Sequence, residues 1–389
     1  MAAVSETSVS RISDDLMLSI FLDNDFTHPD LSRLCLVWKR FFPSVQRSLY
    51  RRIIVTSIYS STSEILNTGW TKVTRGSLIL VGVLERNREL AKLVKTIEFR
   101  GVEAMKSGRE AESGEEPPRH GVLTRILELA ENCEGVKFGK GYEMLSPVRD
   151  LLHDFRHRVL HLSLAHCYQK DLHYLAESFP HLRRLEIDYL SLHPTVPLPS
   201  STAFDLGELF IGGDAGSESL VEFIMDSSST LRKLSLPQKT ALKLDYSKFT
   251  KLTNLQLVES SGSLIEPLPT SFWFNLARCT SLENLALPGS TSQIPEEEEA
   301  TFSLLSDDEI SCTAFPNLRT LRFTTDFSLD RIADFLSCPL SNKLKRILVS
   351  YCPSSQGREG QEGRRRLQKF EMLKGYCEKV GIQVCLEEE

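Results

Sequence analysis

The sequence predicts an α/β chain in which short parallel strands stack side by side on a concave face, with helices or turns outside, behind an N-terminal module of short helices. A recurring six-residue phrase, its spacing and a change of pattern near residue 50 predict this. The phrase is apolar at its first, fourth and sixth positions. It reads Leu182, Leu185, Ile187; Leu206, Leu209, Ile211; Leu231, Leu234, Leu236; Leu252, Leu255, Leu257; Leu282, Leu285, Leu287; and Leu318, Leu321, Phe323. Looser copies are Val159, Leu162, Leu164 and Leu344, Ile347, Val349 at the ends of this run, with Cys133, Val136, Phe138 and Val94, Ile97, Phe99 nearer the N-terminus. From Val159 to Leu344 successive copies begin 23, 24, 25, 21, 30, 36 and 26 residues apart. Three aliphatic side chains cannot offset the entropy of ordering a whole repeat, so the copies must stack and share one core. The two longest steps carry insertions.

Residues 11–50 read as a compact helical module, with Ile12, Leu16, Ile20 and Phe21, then Leu31, Leu34, Cys35 and Trp38 at helical spacing. Ser13 or Thr27 can cap its helices, with Asp14 and Asp15, or Pro29 and Asp30, in the first turns. Such apolar stripes usually form an internal core, but forty residues of short helices cannot bury them all. Residues 51–120 form a connecting and capping region. It holds a strand candidate at Ile53, Ile54 and Val55, a helical stretch ending at 86–93, and a Gly-, Glu- and Ser-containing loop at 103–120, with Pro117 and Pro118, that reads as disordered. Residues 121–389 hold most of the repeats and a C-terminal helical cap containing Leu367, Phe370, Leu373 and Tyr376, opened by Arg364, Arg365 and Arg366. The acidic runs 296–299 and 387–389 read as solvated.

Composition narrows the class. The chain has 389 residues, 41% hydrophobic and 25% charged, and its net charge of −6 argues against nucleic acid as a principal partner. The first fifteen residues lack a basic segment followed by an apolar one, and the longest apolar run, 78–84, is interrupted by Gly82, so neither a signal peptide nor a membrane span is expected. Nine scattered cysteines without a CxxC pair, and no Asn-x-Ser/Thr site, fit reduced thiols in the cytoplasm or nucleus.

A catalytic constellation is missing. Neither GxxxxGK[ST], GxGxxG, GxSxG nor HExxH occurs. Seven of nine histidines fall between His153 and His193, with His153 and His157 at helical i, i+4 spacing and His166 beside Cys167. That spacing suits zinc, but the remaining ligands would fall across a strand and a turn, and adjacent residues such as His166 and Cys167 point apart. No cofactor, metal or enzymatic activity is expected; a hydrolase using this stretch is the remote reading.

Within each repeat the residues between the apolar positions point out of the sheet. Glu186, Phe210, Ser235, Gln256, Ala286, Arg322 and Leu348 are therefore expected to line the open face, bordered by Arg184, Glu208, Lys233, Asn254, Thr320 and Arg346. A broad face of mixed charge suits a protein partner.

The phrase and its spacing resemble the leucine-rich repeat, whose period is roughly 20 to 29 residues. The match is loose: the family's Asn or Cys after the strand is met only by Cys167 and Cys352, with Leu190, Asp214, Lys239, Ser260, Ser290 and Asp326 at equivalent sites, which implies an irregular solenoid. The N-terminal module resembles an F-box in Ile12-Ser13-Asp14-Asp15-Leu16, Ile20-Phe21-Leu22, the run from Asp30 through Leu31, Leu34, Val37 and Trp38 to Phe41, and Leu49-Tyr50. Three positions depart from that family: Ile12-Ser13 replaces Leu-Pro, Phe41 or Phe42 its central Trp, and Leu49-Tyr50 its Leu-Trp. Together the chain resembles F-box/leucine-rich-repeat proteins of fungal type. The resemblance implies a non-catalytic substrate receptor of a cullin-RING (SCF) ubiquitin ligase. Ile12, Leu16, Ile20, Phe21, Leu31, Leu34, Val37 and Trp38 would bind the adaptor, and Arg184, Glu186, Glu208, Phe210, Gln256 and Arg322 the target. The alternative is an intracellular leucine-rich-repeat scaffold that never meets the ubiquitin machinery.

Overall fold

The computed structural model describes residues 42–59, 72–73, 75–103, 119–139, 146–191, 206–213, 218–258, 268–287, 315–324, 343–351, 370–371, 374–375, 377–379 and 381–388. The expected adaptor-binding residues Ile12 through Trp38, residues 104–118 of the loop expected at 103–120, the acidic run 296–299 and the arginine run 364–366 lie outside them; the ends of that expected loop are ordered instead, Glu103 as the last residue of a strand and Arg119 and His120 as the first of a helix. The chain is α/β, built on parallel strands, and divides into two compact units, residues 1–165 and 166–389. That division falls inside the stretch of repeats, not at residue 50 or 120.

In the first unit the strands are β1 (Arg52–Tyr59), β2 (Lys72–Val73), β3 (Thr96–Glu103), β4 (Gly135–Phe138) and β5 (His161–Leu164), in the order β2-β1-β3-β4-β5. Only β2 runs antiparallel to its neighbour. Parallel neighbours need long crossovers. Here helices supply them: Arg75–Arg86 and Arg88–Leu93 before β3, Arg119–Leu129 before β4 and Ser146–Phe155 before β5. The two helices before β3 are separated by Asn87, whose side chain accepts the Leu90 N–H at 3.3 Å and so starts the second as an N-cap.

The apolar positions of the phrase fall into rows. Ile53, Ile97, Val136 and Leu162 are in register, as are Val55, Phe99, Phe138 and Leu164, and all eight are buried. Phe99 and Phe138 stack at 5.3 Å. The strand expected at Ile53–Val55 is thus a further copy of the phrase, beginning at Tyr50, in a region the sequence assigned to a connector.

The second unit holds β7 (Arg184–Ile187), β9 (Glu208–Ile211), β10 (Lys233–Pro237), β11 (Asn254–Val258), β12 (Asn284–Leu287), β13 (Thr320–Thr324), β14 (Arg346–Tyr351) and β15 (Gln383–Glu388), in that order, all parallel. A two-stranded parallel ladder joins β6 (Cys167–Tyr168) to β8 (Leu190–Ser191). The fourth-position residues Leu185, Leu209, Leu234, Leu255, Leu285, Leu321 and Ile347 stand in one register row, continued by Val384. β15 is therefore one more copy, which the sequence hid because its first position is Gly381, at φ +78°. Glu387 and Glu388, from the acidic run at the end of the sequence, lie on β15 with their backbone in register with Ser350 and Tyr351.

Strand entrances share one device. The carbonyls of Lys95, Glu134, Arg183, Gly207, Arg232, Thr253, Glu283 and Arg319 each accept two successive N–H groups from the next strand's first residues, at 2.8–3.1 Å. Each pair satisfies backbone donors that would otherwise be orphaned. A second regularity was missed in the sequence: the residue three before the first leucine is buried, as at Phe179, Ser228, Phe249, Cys279 and Phe315. Around Phe249, the rings of Tyr246, Phe272, Trp273 and Phe315 form a chain of edge contacts, 5.4–6.5 Å apart. Asn275 fastens helix Thr270–Ala277 to this layer, donating to the Leu244 carbonyl at 2.5 Å and accepting from the Tyr246 N–H at 3.2 Å.

Candidate functional site: the open face of the sheet

Two rows of side chains point away from the buried rows of the second unit. The first reads Arg184, Glu208, Lys233, Asn254, Asn284, Thr320, Arg346 and Gln383; the second reads Glu186, Phe210, Ser235, Gln256, Ala286, Arg322, Leu348 and Cys385. Eight strands at about 4.8 Å spacing make a face about 34 Å across. The six expected target-contacting residues, Arg184, Glu186, Glu208, Phe210, Gln256 and Arg322, all stand on it and are partly exposed. Ser235 and Thr320 stand on it too but are buried, at 6% and 7% exposure, shielded among longer neighbours. Asn284, Gln383 and Cys385 were missed; Asn284 was legible as the third position of its phrase.

Charge is unevenly distributed across this face. On β7–β10 it is locally neutralised: Arg184 reaches Glu208 at 3.2 Å and Glu186 at 3.6 Å, and Lys233 reaches Glu208 at 2.8 Å. The Arg184 guanidinium also lies 4.8 Å from the Phe210 ring centre, which covers part of an aromatic expected to be free. The middle, from Ser235 through Gln256 and Asn284 to Thr320, carries no charge. On β13 and β14 the face and the residues leading into it are basic, with Arg319, Arg322, Lys345 and Arg346.

The corresponding row of the first unit is Ile54, Glu98, Lys137 and Ser163. The Glu98 side chain is 4% exposed between half-exposed Arg52 and Arg100, both of which donate hydrogen bonds to it. Burial by itself raises the pKa of this carboxyl, but the hydrogen bonds and charges of Arg100 and Arg52 outweigh it, and the net position is below the ordinary 4.5. A carboxylate with a depressed folded-state pKa stabilises fully above its unfolded value and loses that contribution as pH falls through the folded value. Glu98→Gln is expected to destabilise the chain by about 2 kcal/mol at neutral pH. The gap should shrink as pH falls through the depressed folded-state value and close only below it, where wild type also carries a neutral side chain. Urea titrations of both proteins at several pH values measure this; a gap independent of pH refutes it.

The described histidines of the histidine-rich stretch do not assemble into a ligand set. Helix Ser146–Phe155 ends before His157, so His153 and His157 do not share it, and Arg156 Nη1 lies 3.1 Å from His153 Nδ1. His166 stacks on Tyr189 with ring centres 5.2 Å apart, whereas Cys167 is fully buried and directs its Sγ to the Tyr168 carbonyl. Among the described residues no three His, Cys, Asp or Glu side chains come together as metal ligands, and no described helix is long and apolar enough to cross a membrane. Burial pushes the thiols of Cys133 and Cys377 up to about 11 and raises that of Cys279, so each carries little thiolate at neutral pH. Compared with protein-family models and with curated proteins, the chain matches none.

Proposed function

We propose that the chain is an F-box/leucine-rich-repeat substrate receptor: an irregular solenoid that presents a target protein to a cullin-RING ubiquitin ligase and leaves the chemistry to other subunits. The observation that carries the reading is the in-register stacking of the phrase, which leaves two uninterrupted rows of varied side chains on one open face while the apolar positions are consumed in the core. A surface of this kind recognises a protein rather than turning over a small molecule. The N-terminal text from Ile12 to Tyr50 supplies the second half of the reading, an adaptor-docking module built on Leu16, Leu31, Leu34 and Trp38. Holding target and ligase together works by raising the effective concentration of the target's lysines at the catalytic subunit.

Pull-down of the purified ligase adaptor by the full chain tests this. Wild type is expected to retain the adaptor, and Leu16→Asp or Leu34→Asp to lose it with the circular dichroism spectrum unchanged. Should wild type fail to retain the adaptor, the chain is a leucine-rich-repeat scaffold outside the ubiquitin system, a reading that Ser13 at the family's proline position favours.

A further inference from the structure

The cations of the open face are handled in two different ways. On β7–β10 Arg184 and Lys233 are interleaved with Glu208, and both pair with it. On β13 and β14, Arg346 stands in the row of Arg184 and Lys233, while Arg319 and Lys345 stand one residue before it, where β7 and β10 carry Arg183 and Arg232; all three are exposed, and among the described residues no carboxylate pairs with any of them. These strands are adjacent: Thr320 is in register with Arg346, and the Lys345 and Arg346 N–H groups both donate to the Arg319 carbonyl, at 2.9 and 3.1 Å. Like charges on neighbouring strands repel. An anion placed against these strands would relieve that repulsion, as Glu208 does at the other end of the face. Arg322 stands on the same side, two residues beyond Thr320 along β13. The nearest acid at an equivalent position is Glu283, at the β12 entrance, a single carboxylate against this group.

We propose that the β13–β14 part of the face receives an acidic, extended segment of the target protein, its carboxylates meeting Arg319, Lys345 and Arg346. The uncharged amides of Asn254, Gln256 and Asn284 alongside offer donors and acceptors for the peptide backbone as it crosses towards β11. This rests on the receptor reading for the identity of the partner, but not on adaptor binding.

The probe is a fluorescein-labelled peptide of about ten residues with alternating glutamates, long enough to span about 33 Å when extended. Its anisotropy is followed on titration with the full chain at about 0.15 M salt. Wild type is expected to bind it and to ignore the same peptide with glutamine in place of glutamate. Replacing Arg319, Lys345 and Arg346 together by alanine should weaken binding at least about tenfold, the sum of several exposed ion contacts. The double variant Arg183→Ala, Arg232→Ala removes exposed cations at the β7 and β10 entrances and should bind as wild type does. Equal losses in the two variants would mean diffuse charge attraction and overturn the proposal, as would tighter binding of a single-stranded oligonucleotide of the same charge. Absence of peptide binding by folded wild type overturns it as well. Because no adaptor is present, a negative result here leaves the pull-down outcome untouched, and the reverse.

Discussion

Replacing Leu285 by alanine is expected to destabilise the chain by about 3 to 4 kcal/mol. The side chain is 1% exposed and stands in register between Leu255 and Leu321, so the deletion leaves a void lined on both sides by repeat leucines. Collapse into that void is resisted by the backbone. β12 is bonded to a strand on each side, and its first two N–H groups are held by the Thr253 carbonyl at 2.9 Å each. The cavity term therefore adds to the lost transfer energy. Gln256→Ala, one strand away on the open face, should change stability by no more than about 0.5 kcal/mol. Urea denaturation followed by circular dichroism separates them. Comparable effects from the two would contradict the division into buried and open rows.

The second large effect is expected at Gly212, just past the end of β9. A Cβ there would collide with the Asp188 backbone carbonyl and lie 3.2 Å from its carbon. Neither partner can yield easily, because the Gly212 N–H donates to the Ile187 carbonyl at 2.8 Å, fixing the two backbones against each other. Gly212→Ala is expected to cost about 2 to 3 kcal/mol as an overpacking strain. Gly213→Ala should cost less, about 1 kcal/mol: its φ of +80° disfavours a side chain, but the obstacle is the ring of Tyr189, a half-exposed side chain that can swing away. Gly375→Ala, with nothing within 4 Å of the added carbon, is the control and should not lower the melting temperature. If Gly213→Ala proves the more damaging, the close approach at Asp188 is not the governing contact.

Much of the second unit's frame was legible because three leucines per phrase declare both the strand and its inward side. The rows of Leu185 and Leu209, and of Glu186 and Phe210, follow from spacing alone. What spacing could not supply are interactions made by backbone or by residues outside the phrase. Phe179, Ser228, Phe249, Cys279 and Phe315 occupy one structural position with three residue types, and the phenylalanine that recurs there is broken by Ser228 and Cys279, which blurs the pattern. β15 escaped because Gly381 stands where a leucine was sought; β1 was expected as a strand at Ile53–Val55 but not as a copy of the phrase, because Tyr50 stands at its first position. Of the open face, membership was readable but charge state was not. Arg184 and Glu208 are separated by a whole repeat in the sequence, and only pairing of β7 with β9 turns them into partners. Glu98 was invisible for the same reason, since Arg52 lies on a strand that the sequence placed outside the repeats.

The doubled N–H contacts at the strand entrances have a consequence for how such a chain changes over generations. They are made by main chain to main chain, whatever the side chains, so the joints between successive turns tolerate rewriting of almost every letter around them. Selection can then edit the open surface one codon at a time without renegotiating the scaffold that holds it.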